Sequence, residues 1–114
     1  MFGLRNKKND IETDEANELI NKNISNLEFI ILDVRSADEY SNAHIAQADN
    51  IDYNSPVFKL ELDKLDRNKK YLVYCRSGHR SSNAVKIMIN MGFTDIHNLS
   101  GGIRKWKGEG FPLV

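Results

Sequence analysis

The sequence predicts an α/β fold built on a mainly parallel sheet with helices on both faces, and three observations carry that prediction. Short apolar runs alternate along the chain with stretches of helical periodicity. The two strongest runs, Phe29-Ile30-Ile31-Leu32 and Tyr71-Leu72-Val73-Tyr74, are continuous in apolarity, as strands covered on both sides require. Each run gives way to polar, turn-forming residues that open a helix. A chain of 114 residues has room for one such domain. At this size roughly two-thirds of the unfolded surface can be buried, so a core forms without staples.

The elements follow in order. Residues 1–9 carry Arg5, Lys7 and Lys8 and no acid, and they read as a mobile polar tail ahead of a domain spanning 10–114. Thr13 is placed to cap a helix from Asp14 to Lys22, with Asp14 and Glu15 in the first turn, where the helix dipole favours acids, and Ala16, Leu19 and Ile20 on the apolar face. The strand 29–32 ends in Asp33-Val34-Arg35. Ser36 with Glu39 forms a capping box for a short helix over Asp38 to Ser41. Asp49 to Tyr53 is a short strand, and Pro56 suits the first turn of a helix running through Phe58 and Leu62. The strand 71–74 leads to a helix from Ser81 to Met91, with Ala84, Ile87, Met88 and Met91 at helical spacing and Gly92 as its stop. Ile96 to Leu99 forms another short strand, and Gly101-Gly102 opens a last helix containing Trp106.

Charge and composition narrow the function classes. The 16 cations and 16 acids cancel, which argues against bulk attraction to nucleic acid or an anionic membrane. The cancellation hides blocks of opposite sign. Residues 10–66 hold 14 acids and four bases, whereas the 28 residues from 67 to 94 hold six bases and no acid. No apolar run approaches the roughly 18 residues of a membrane span, and no signal-like apolar stretch follows the basic start, so a cytoplasmic location without membrane contact is expected. One cysteine excludes an internal disulfide and a cysteine-rich zinc site, and no metal or other cofactor is expected.

That cysteine, Cys75, lies in the acid-free block, in Tyr74-Cys75-Arg76-Ser77-Gly78-His79-Arg80-Ser81-Ser82. A thiol leaving a buried strand and entering a tight loop before a helix stands where open α/β sheets place ligands. Successive loop amides and the helix dipole there favour negative charge on sulfur, and Arg76, His79 and Arg80 act in the same direction. Gly78 suits the sharp turn, and Ser81 is placed to cap the following helix. A buried cysteine is more often inert packing, but packing needs none of these neighbours.

The stretch from Cys75 to Ser81 resembles the active-site loop of rhodanese-like sulfurtransferases. Leu32-Asp33-Val34-Arg35, Glu39-Tyr40, His44-Ile45, Ala48 and Asn50-Ile51 resemble the family's first signature. Leu99-Ser100-Gly101-Gly102-Ile103 with Trp106, Gly110 and Pro112 resembles its C-terminal one. The resemblance covers residues 10–114 and implies a small open five-stranded sheet. It also implies ping-pong sulfur transfer, in which Cys75 takes a sulfane sulfur from a small anionic donor such as thiosulfate and passes it, as a persulfide, to cyanide or a thiol, including a protein thiol. The amides of residues 76–81 would cradle the persulfide, and Arg76 and Arg80 would orient the donor. Two other classes compete: a non-enzymatic rhodanese-fold binding or regulatory module, and a redox-sensing thiol, which here lacks a resolving cysteine. A phosphatase- or arsenate-reductase-like enzyme is a further alternative, but the related loops are one residue longer than the four residues between Cys75 and Arg80, and the shorter loop favours sulfur over phosphate.

Around the loop, Asp33 is expected at the pocket edge. Arg35 is expected to pair with Glu39 in a structural role, His44 to be a hydrogen-bonded structural residue, and Trp106 to pack in the core. Two positions depart from the family pattern, which often has glycine where this chain has Ala43 and Gln47. A positive φ there would cost stability.

Overall fold

The computed structural model describes residues 8–114. Its elements are β1 (Asp10–Ile11), α1 (Thr13–Lys22), β2 (Phe29–Asp33), α2 (Ala37–Asn42), β3 (Asp49–Asn50), α3 (Phe58–Asp63), β4 (Lys70–Tyr74), α4 (His79–Asn90), β5 (Asp95–Leu99) and α5 (Gly102–Gly108). The five strands form one sheet in the order β1-β5-β4-β2-β3, and every pairing is parallel. The expected α/β class and five-stranded open sheet are therefore what the chain adopts.

Strand alternation in β4 assigns the two faces. Tyr71, Val73 and Cys75 point to one side, where Leu62, Ala84, Val85 and Met88 from α3 and α4 cover them. Leu72 and Tyr74 point to the other, against Ala16 of α1 and Ile103 and Trp106 of α5. All of these side chains are buried, so β4 is enclosed on both faces, which is why its sequence is apolar throughout. The same alternation sends Cys75, one residue beyond the strand, toward the face that carries α4. The helix ends sharply because Gly92, at φ +101°, lets its own N–H donate to Ile89 O and that of Phe93 donate to Met88 O.

Several local expectations are corrected. Thr13 is the first helical residue of α1, not its cap, and its buried hydroxyl donates to Glu109, whereas Glu12 occupies the cap position. Pro56 lies in the turn before α3, because that helix starts only at Phe58. The strand expected over residues 49–53 pairs only at Asp49 and Asn50. Beyond that point the chain swings across the end of β2, with the N–H of Tyr53 donating to Val34 O. The two-residue β1 was not expected. The predicted tail falls largely outside the described residues, but Asn9 belongs to the sheet edge: its carbonyl accepts from Asn98 N and its side-chain amide donates to Ile96 O.

The two departures from the family's glycines separate here. Ala43 is extended at φ −168°, without strain. Gln47 has φ +71°, the left-handed region that costs an L-residue about 1–2 kcal/mol. Part of that cost offsets the larger unfolded-state entropy of glycine, so Gln47→Gly is expected to stabilise the fold by up to about 1 kcal/mol. A higher urea midpoint at unchanged m-value checks this, and a lower midpoint contradicts it.

Candidate active site

The loop between β4 and α4 wraps around the Cys75 sulfur. The thiol is buried, at 1% exposure. Three donors converge on Sγ: the backbone N–H of Gly78 at 3.1 Å, the N–H of Ser81 at 3.3 Å and the Ser81 hydroxyl at 3.3 Å. Gly78 makes this turn by adopting φ +101°, and it occupies the cap position of α4. Ser81 therefore does not cap the helix as expected. It sits in the first turn, fully buried, with its hydroxyl directed at the sulfur. Arg76, Ser77 and His79 lie on the exposed side of the loop.

The arginines differ from one another in what they do. Arg80 is bound on both Nη atoms by Glu39, at 2.9 and 3.0 Å, so it ties the loop to α2 and does not offer a free fork to a ligand as expected. Glu39 is also the capping-box residue, and its Oε1 accepts from Ser36 N and Ser36 Oγ. These contacts, with Arg80 foremost, pull its carboxyl from the usual 4.5 down to about 2. Because the folded value lies below the unfolded one, the pair's contribution is complete above about pH 4.5 and is lost as pH falls toward 2. The urea-midpoint gap between the natural protein and Glu39→Gln should accordingly be smaller at pH 3 than at pH 6, and an unchanged gap contradicts the assignment.

Arg35 does not meet Glu39 either. Its Nε and Nη2 donate to the Asp33 carboxylate at 2.7–3.1 Å, and Nη2 also donates to Ala43 O at 2.6 Å. Burial opposes the Arg35 charge, but the Asp33 contacts outweigh it and leave the guanidinium harder to deprotonate than usual. Asp33 is fully buried beneath Arg35, so the side chain at the pocket wall is that of Arg35 and not, as expected, of Asp33. Behind this pair the Tyr74 hydroxyl accepts from Ile45 N, and burial, followed by the Asp33 charge, holds its proton more tightly than usual. His44 is the expected structural histidine, stacked on Tyr40 with Nδ1 donating to Tyr40 O at 2.7 Å. Trp106 is buried as expected, with its Nε1 donating to Pro112 O.

A cavity of about 670 Å³ opens beside the loop. Arg35, Arg76, Arg104 and Lys107 line it with Glu39 and Asn42, and Ile103 and Leu113 form an apolar wall. The start of α5 closes over the loop: Ile103 N donates to Cys75 O at 2.9 Å and Arg104 N to Arg76 O at 3.0 Å. Reading the sequence missed Arg104 and Lys107. Their i, i+3 spacing on the final helix was the available signal, but only the docking of α5 places them beside residue 76.

Fold and site together define a class: an open parallel sheet whose central strand delivers one cysteine into a loop of convergent donors before a helix. The chain belongs to the rhodanese-like domain family, whose model matches residues 12–109. It is 35% identical over 97 residues to the thiosulfate sulfurtransferase GlpE of Coxiella burnetii, covering 83% of either protein. A rhodanese-related protein of Thermoplasma volcanium superposes with a TM-score of 0.77 at 32% identity, over 92% of this chain and 96% of that one. The Helicobacter pylori protein hp1203 does so at 0.73 and 32% identity, over 95% and 90%.

Proposed function

We propose that the protein is a sulfurtransferase that moves a sulfane sulfur through a Cys75 persulfide, with a small thiosulfate-like anion as donor. The observation that carries this reading is the convergence of the Gly78 and Ser81 amides and the Ser81 hydroxyl on Sγ. Donors so arranged stabilise anionic sulfur both before attack and after the persulfide forms. The Cys75 thiolate attacks the outer sulfur of thiosulfate, and the donor's S–S bond breaks with its electron pair leaving on sulfite. A nucleophile, cyanide or a thiol, then removes the bound sulfur and returns the electron pair of the Sγ–S bond to Sγ. Arg76, exposed beside the nucleophile and facing the cavity, attracts the donor's sulfonate end. Arg80 contributes by holding the loop to α2 through Glu39. The sulfurtransferase name of the Coxiella relative supports the same reading.

Intact mass tests it. Incubation with thiosulfate should add one sulfur atom, cyanide should remove it with release of thiocyanate, and prior alkylation of Cys75 should prevent both. A mass unchanged by thiosulfate, or an adduct on alkylated protein, overturns the reading. A binding module of the same fold would give the first of these results.

A further inference from the structure

The cavity beside the loop holds more positive charge than the donor needs. Of its cations, Arg35 is matched by Asp33. Its one acid, Glu39, is matched by Arg80. Arg76, Arg104 and Lys107 make no ion pair among the described residues, so they leave an uncompensated positive surface around a concave space. Arg104 and Lys107 lie three residues apart on α5, where like charges repel; neither side chain packs in the core, and only Lys107, in the last turn, gains from the helix dipole. Both side chains are exposed, and both line the cavity. Its volume, about 670 Å³, falls among those of small-molecule sites and exceeds what a thiosulfate-sized anion fills.

We propose that this cleft is the acceptor subsite, and that Arg104 and Lys107 select small thiols carrying two or more carboxylates. The inference rests on the sulfurtransferase reading. In the transfer step the acceptor thiol first gives its proton to the persulfide anion left by loading, and its thiolate then attacks the outer sulfur of Cys75–S–SH. A bond forms between the two sulfurs, the Sγ–S bond breaks with its electron pair returning to Sγ, and the persulfide's proton passes to Sγ. A thiolate and a persulfide thus become a persulfide anion and a thiol, with no outside oxidant or reductant. The carboxylates, seated on Arg104 and Lys107, hold the thiol beside the loop while it reacts. The apolar wall of Ile103 and Leu113 accommodates the carbon skeleton.

The test uses protein loaded with thiosulfate, freed of excess donor, and mixed with mercaptoethanol, mercaptopropionate or mercaptosuccinate. Decay rates of the persulfide are normalised to each thiol's reactivity toward a small-molecule disulfide. Mercaptosuccinate should react roughly tenfold faster than mercaptoethanol, as two charge-assisted contacts would give. Added salt should shrink that preference. The double variant Arg104→Gln/Lys107→Gln should erase it while mercaptoethanol reacts within about twofold of its former rate. Equal normalised rates for the three thiols, or a preference that survives in the double variant, overturn the proposal. A second arm needs no sulfur chemistry: tricarballylate titrated into Cys75→Ser protein should shift the amide resonances of Arg104 and Lys107. Failure to load sulfur defeats the transferase reading, and the tricarballylate arm still reports on the cleft. If tricarballylate leaves those resonances unmoved while an acidic peptide shifts them, the surface docks a protein and the small-thiol proposal is overturned.

Discussion

Gly102→Ala should destabilise the protein by about 2–5 kcal/mol and disable the cysteine loop with it. Gly102 has φ +61°, a conformation that costs an L-residue about 1–2 kcal/mol. A Cβ at this position would also stand 2.4 Å from Arg76 O and 2.6 Å from Cys75 O. Those atoms belong to backbone that is itself fixed, because the same carbonyls accept from Arg104 N and Ile103 N. Relief therefore requires α5 to lift from the loop, breaking both hydrogen bonds and reshaping the cavity. Overpacking of this kind adds about 1–3 kcal/mol. Gly110 supplies the control: at φ +86° it has the same backbone preference, but an added Cβ meets nothing within 4 Å. Gly110→Ala should cost only about 1–2 kcal/mol and leave thiosulfate loading intact. Urea denaturation and the mass assay, run on both variants, decide the matter. Equal losses for the two would mean that the contact with the loop carries no weight.

The contrast between these glycines bears on what a sequence discloses. The path from β4 through Cys75 to α4 was legible because its causes are local: a continuous apolar run, a glycine at the turn, and helical spacing from Ala84 onward. The capping box of Ser36 and Glu39 was legible for the same reason, and it forms. Illegible were features made by packing between distant segments. Arg80 and Glu39 lie 41 positions apart, and no local pattern prefers that pair to Arg35 with Glu39. The two-residue β1 exists because β5 offers it an edge, not through any periodicity of its own. Ser81 looked like a helix cap from spacing. The positive φ of Gly78 moved the helix start two residues earlier and turned the serine toward the sulfur.

Asp33→Asn is expected to cost about 3–5 kcal/mol, a large part of the 5–15 kcal/mol typical of a domain. The reason is what the substitution leaves behind. Asparagine keeps a carbonyl oxygen for the N–H of Arg35, which donates to Asp33 Oδ1 at 2.9 Å, so the local turn survives and the loss reports charge. The Arg35 guanidinium, on a residue 6% exposed, would keep only neutral acceptors, Ala43 O for Nη2 and the asparagine carbonyl for Nε, and would lose the carboxylate charge and its second oxygen. A buried ion pair stabilises little compared with apolar packing, but half of one is expensive. The argument therefore makes a second demand. Removing both charges, as in Asp33→Asn/Arg35→Met, should destabilise less than the sum of the single changes by at least about 1 kcal/mol, since the double variant leaves no orphaned cation. Urea midpoints for the three variants and the natural protein close the cycle. A loss below about 1 kcal/mol for Asp33→Asn, or strict additivity, would mean that water reaches Arg35 and that the pair is not sealed. If the coupling is present, the wall of the cavity nearest α2 rests on a carboxylate that no ligand touches. Asp33 then serves the site by holding Arg35 and, through Ala43 O, the chain that leads from α2 to His44.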